Sequence, residues 1–103
     1  GASAKGWLYQ TKTDVGWSPP TGTNDIIIAL AGINKQVCKE INKRITGSKN
    51  IPSAGDTVKN LFDQRTSTNK TLDNNVCGDC VGKPELCIDA NDGYVYYNIL
   101  VSN

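Results

Sequence analysis

The chain contains no histidine. That removes the side chain that most readily serves as a general base near neutral pH, and with it the commonest metal ligand. Methionine is missing too. A complete translation product begins with one, so the chain reads as a processed or cut piece. Residues 1–4, which include Gly1-Ala2-Ser3, read as a cloning scar or linker, and residues 5–103 as a single globular domain. No run of about 18 apolar residues occurs, so this sequence holds no candidate membrane-spanning helix. There is no surplus of charge of either sign: 11 Lys and Arg stand against 10 Asp and Glu, a net of +1. Such a balance provides no field that would gather nucleic acid. No nucleophile has a visible base beside it, no Ser sits in a G-x-S-x-G elbow, and no element pairs two carboxylates. These absences lead to the expectation of a non-enzyme without a cofactor.

What the chain does have is four cysteines in 103 residues. An all-cysteine zinc site wants two close pairs of ligands. Cys77 and Cys80 make one such pair, but Cys38 and Cys87 do not make another, so no metal site is expected. Disulfides are the better reading, and they imply a periplasmic or extracellular home. The favoured pairing is Cys38–Cys87 with Cys77–Cys80; the pairing Cys38–Cys77 with Cys80–Cys87 stays open. A Cys38–Cys87 bridge would close a loop worth about 4 kcal/mol in the chain-entropy model.

Apolar periodicity supplies the elements. Thr23-Asn24-Asp25 reads as a helix start, and Ile26, Leu30, Ile33, Val37, Ile41 and Ile45 follow in steps of three and four. The expectation is one main helix over that span, weakened at Gly32 and closed by Gly47 as C-cap. Lys35, Lys39 and Lys43 form a basic stripe along it, with Arg44 beside them. A solvated helix face accounts for the stripe as simply as a partner does. Trp7-Leu8-Tyr9 suits a short strand or the end of an upstream helix, and Trp17-Ser18-Pro19-Pro20 a loop. Residues 56–64 suit a short second helix burying Val58, Leu61 and Phe62. Residues 65–76 read as a polar surface loop. Residues 86–89 and 94–101 flank Asn91-Asp92-Gly93 as the two arms of a hairpin. Of the two faces of the last strand, the one with Val95, Tyr97, Ile99 and Val101 is expected to receive the main helix. The fold class is therefore α+β: one main helix packed on a small antiparallel sheet with a C-terminal hairpin, stapled by disulfides.

Three short motifs have plainer explanations. Cys77-Gly78-Asp79-Cys80 has redox spacing, but it lacks the strand–motif–helix context that lowers a thiol pKa. Asp89-Ala90-Asn91-Asp92-Gly93 is faintly like a calcium loop, yet the residues a calcium loop needs at its sixth and twelfth places are missing. Asn69-Lys70-Thr71 matches a glycosylation acceptor, a triplet that arises readily by chance.

Taken together, Val37-Cys38-Lys39-Glu40-Ile41-Asn42-Lys43-Arg44-Ile45, Ile51-Pro52, Cys87-Ile88 and the aromatic strand Tyr94–Val101 resemble the globular end of type IV pilin-like proteins, minor pilins and pseudopilins above all. The resemblance spans residues 33–101. It implies a periplasmic domain whose parent carries a hydrophobic N-terminal helix. That helix would anchor the protein in the inner membrane and later enter a type IV pilus or type II secretion-like filament. The implied partners are other pilin-like subunits and, through the missing helix, the membrane; nucleic acid is not expected. The cleavage segment and the hydrophobic helix are absent from this chain, and the Cys77/Cys80 pair is an addition to the pattern. A second reading is a secreted, disulfide-stabilised binding or inhibitor module. A third is a thiol oxidoreductase using Cys77 and Cys80.

Overall fold

In the computed structural model, which describes residues 8–13, 25–62 and 75–101, the apolar run Ile26-Ile27-Ile28-Ala29-Leu30-Ala31 is a strand and not the first half of a helix. Strand β1 (Leu8–Thr13) pairs antiparallel with β2 (Asp25–Ile33). Helix α1 (Lys35–Thr46) follows, then the short helix α2 (Val58–Phe62) and a 3-10 turn at Gly78–Cys80. Strands β3 (Glu85–Ala90) and β4 (Gly93–Val101) close the described chain as a hairpin. The sheet order is β1-β2-β4-β3, antiparallel throughout. The fold is α+β, a main helix on a small antiparallel sheet, as the sequence implies.

The long helix expected over Ile26–Ile45 is corrected to a strand followed by a shorter helix. The physical reason lies in the position of β2. It runs between β1 and β4, so both of its edges are hydrogen-bonded to other strands, and its Ile27, Ala29 and Ala31 side is fully buried. A central strand of this kind reads as a continuous apolar run. Gly32, at φ 76°, lies where the β2–β4 register shifts between Ala31 and Ile33. The chain turns there into α1. The true N-cap is Asn34, whose side-chain oxygen accepts from the Val37 N–H at 2.9 Å. Thr23 and Asn24, the expected start, lie outside the described residues. So do Trp7, the Trp17–Pro20 loop, residues 65–74 of the polar loop and the Asn69-Lys70-Thr71 triplet. The expected C-cap holds: Gly47 sits at φ 83° and its N–H bonds the Lys43 carbonyl at 2.9 Å.

Period-two alternation divides the sheet into two faces. One carries Ile27, Ala29, Ala31, Leu86, Ile88, Val95 and Tyr97, all essentially fully buried. Ala29 pairs with Tyr97 and Ala31 with Val95, so small side chains leave room for large ones. Val58, Leu61 and Phe62 of α2 pack here, with the Phe62 ring stacked on Tyr97 at 6.1 Å between centroids. The buried side of the second helix is therefore the expected one. The helix that covers the Val95/Tyr97 face, however, is α2 and not α1.

Helix α1 lies over the opposite face, the one bearing Cys87 and Tyr96. Cys87 and Tyr96 are partners in the β3–β4 ladder, so their side chains share a face. The Cys38–Cys87 disulfide ties α1 to that face.

Candidate functional site

The structure joins Cys38 to Cys87 and Cys77 to Cys80, leaving no free thiol. All four cysteines are buried. Two disulfides in so small a domain fit an oxidising compartment outside the cytosol. Cys77 and Cys80 are closed across one 3-10 turn, with the Cys80 N–H bonding the Cys77 carbonyl at 3.0 Å. Their sulfurs belong to the core that includes Ala54, Val58 and Leu61. A thiol–disulfide exchange site needs a sulfur that an attacking thiolate can reach. The burial of this pair suits a structural bridge.

The Asp89–Gly93 segment is the tip of the hairpin. Ala90 pairs with Gly93 across the two-residue turn Asn91-Asp92. Asp92 Oδ1 accepts the Val58 N–H at 2.9 Å, so this carboxylate caps the start of α2. Among the described residues no group of three or more Cys, Asp or Glu side chains is arranged to hold a metal ion.

The outer edge of β3 is closed at Cys87 and at Asp89. Asn42, fully buried on α1, spends both ends of its amide on the backbone of Cys87: Nδ2 donates to the carbonyl at 2.7 Å, and Oδ1 accepts the N–H at 2.8 Å. Two residues on, Asp89 exchanges hydrogen bonds with Pro52 O and Ala54 N, each at 2.9 Å, and the Asn91 N–H reaches Asp56 O at 3.0 Å. An exposed strand edge invites pairing with other chains; here a side chain and a loop take its place. Sequence reasoning missed Asn42. The signal was its position four residues after Cys38, which puts both on one side of the helix.

Among the described residues, a hollow lies on the face beside α1. A groove of about 270 Å³ runs between the helix and the sheet. Ile41, Arg44 and Ile45 form the helical wall, and Leu30, Ile33 and the Tyr96 ring line the sheet side. Val37 continues the apolar stripe on the outer side of α1, where it lines a second hollow with Ile41 and Arg44. Two large aliphatics of α1 stay exposed along this surface, Val37 at 45 % and Ile45 at 36 %, and Leu100 of β4 is exposed at 51 %. Leu100 lies farther along β4, where the β2–β4 register shifts between Ile99 and Val101.

Two charged side chains line the groove, Arg44 from the helix and Glu85 from β3. Glu85 is engaged: the Tyr96 hydroxyl donates to its Oε2 and accepts from Asn98 Nδ2 at 3.2 Å. Burial first, then that bond to Glu85, holds the Tyr96 phenol above the usual tyrosine range. Of the basic stripe, Lys35 and Lys43 are exposed and Lys39 half-buried, while Glu40 pairs with Lys49 at 3.5 Å. The groove, like Asn42, was not foreseen, because both depend on which face α1 covers. No protein-family model, curated protein sequence or solved structure matches this chain.

Proposed function

We propose that the chain is the globular domain of a pilin-like subunit, a structural and assembly protein of a type IV pilus or type II secretion-like filament. Its parent protein would be held in the inner membrane or the filament by an N-terminal apolar helix, with this domain in the periplasm. Its work would be packing and surface recognition, with no turnover.

One observation carries this reading. Among the described residues, Leu30, Ile33 and Tyr96 on the sheet and Ile41 and Ile45 on α1 frame a largely apolar hollow that would take one more helix. Four strands at about 4.8 Å spacing present more breadth than a single helix of roughly 10 Å diameter covers. α1 sits over β3, leaving Leu30, Ile33 and Tyr96 bordered by the Ile41/Ile45 side of the helix. Leu8, the first residue of β1, pairs with Leu30, so β1 begins beside the groove. A helix entering there would cover the exposed aliphatics, and the two disulfides suit the periplasm.

The test is the parent gene together with its product. An apolar helix behind a short basic leader upstream of Gly1 is expected. In the full subunit, the amides of Leu30 and Tyr96 should exchange with solvent more slowly than in the 103-residue chain. A cleaved secretory signal ending near residue 1 would defeat the reading and favour a secreted binding or inhibitor module that uses the same groove for a ligand.

A further inference from the structure

We infer that Arg44 selects and positions the helix that fills the groove, and that this occupant carries a carboxylate opposite Arg44. The inference rests on the assembly reading above and adds the chemistry of the contact. Val37, Ile41 and Ile45 recur every four residues and form one side of α1. Arg44 borders that side along its length, since it lines the groove with Ile45 and the outer hollow with Val37. The ion pair among the described residues joins Lys49 to Glu40 and leaves Arg44 out. The groove's own acid, Glu85, is turned to the Tyr96 hydroxyl. An occupant laid over the stripe therefore removes water from an uncompensated guanidinium, at a cost unless it brings a counter-charge. A carboxylate there satisfies the fork of donors and sets the register of the incoming helix.

The same geometry argues for a protein helix over a bilayer. Lys39 and Lys43 follow Val37 and Ile41 by two residues, about 200° around the helix. A membrane that took up the apolar stripe would leave these two cations on the side away from the headgroups. Of Lys39, Lys43 and Arg44, only Arg44 borders the stripe, so a bilayer would gain little electrostatic attraction from the helix.

The experiment titrates the 103-residue chain with two synthetic amphipathic helices of identical leucine stripe, one flanked by Glu and the other by Lys. Binding is followed by calorimetry and by amide chemical shifts. The Glu peptide is expected to bind about fivefold more tightly at low salt, the ratio one partly exposed ion pair supplies. Arg44→Glu should reverse the preference, and Arg44→Gln should abolish it. Shifts should centre on Leu30, Ile41 and Tyr96. Equal affinities, a preference indifferent to Arg44→Glu, shifts elsewhere, or no binding of either peptide would each overturn the inference. So would preferential binding to vesicles of phosphatidylcholine and phosphatidylglycerol. The two readings fail separately. A charge-selective groove with no helix encoded upstream overturns the assembly reading alone. An upstream helix that fills the groove without an acid at Arg44 overturns this inference alone.

Discussion

Asn42 and Cys87 are joined through both backbone groups of the cysteine, at 2.7 and 2.8 Å, while Cys38, one turn earlier on the same helix, is bonded to the sulfur of that residue. The amide of Asn42 thus stands where a neighbouring strand would stand. Truncating it leaves a buried N–H and C=O without partners. Asn42→Ala is expected to cost about 2–4 kcal/mol in urea unfolding with both disulfides intact, since each orphaned group costs about 1–3 kcal/mol. A loss under about 1 kcal/mol would show that water replaces the amide at no great cost, and that the edge is not held as described.

The two disulfides should differ in worth. Cys38–Cys87 spans 49 residues and Cys77–Cys80 only three. In the chain-entropy model these separations give about 4 and about 1.5 kcal/mol. Replacing both cysteines of each pair by Ala and comparing midpoints of denaturation checks the order. The prediction fails if removal of Cys77–Cys80 proves the more damaging.

Tyr97 gives the domain an alkaline limit. Its ring is fully buried, and its hydroxyl donates to the Lys83 carbonyl at 2.7 Å. Burial raises the phenol well above its ordinary value of 10.0. The unfolded chain therefore releases this proton first. The stability Tyr97 contributes is complete below about pH 10 and declines as pH rises beyond it. Tyr97→Phe should lose about 1 kcal/mol near neutral pH through the missing hydrogen bond, yet show a shallower alkaline decline. An identical decline in the variant would assign the effect to another group.

Phe62 tests whether α2 is integral to the fold. The helix has only five residues, too few to persist without tertiary packing. Phe62 is fully buried and stacked on Tyr97. Phe62→Ala should destabilise by about 3–5 kcal/mol, measured by thermal or urea unfolding. A conservative Phe62→Leu should recover most of that.

Local chemistry made several elements readable in advance. Asn91-Asp92-Gly93 between apolar arms defines a hairpin because those residues suit its turn. Gly47 ends α1 because it takes φ 83° without a Cβ penalty. Val58, Leu61 and Phe62 lie at helical spacing and are buried together. Four cysteines without histidine favoured disulfides, and the preferred pairing is the one the structure contains.

The remainder depended on contacts distant in sequence. Ile26, Leu30 and Ile33 have helical spacing, but the run that contains them also suits a central strand, and only the neighbours β1 and β4 decide between the two. Asn42 reads locally as a polar helix residue; its role appears only when the edge of β3, 45 residues away, is brought to its amide. The groove at Leu30, Ile41 and Tyr96 likewise exists only once strand and helix are set side by side. Local spacing and turn chemistry act within a few residues and are legible in a sequence. Which face is covered, which edge is capped and which apolar surface is left open are decided by packing across the whole chain.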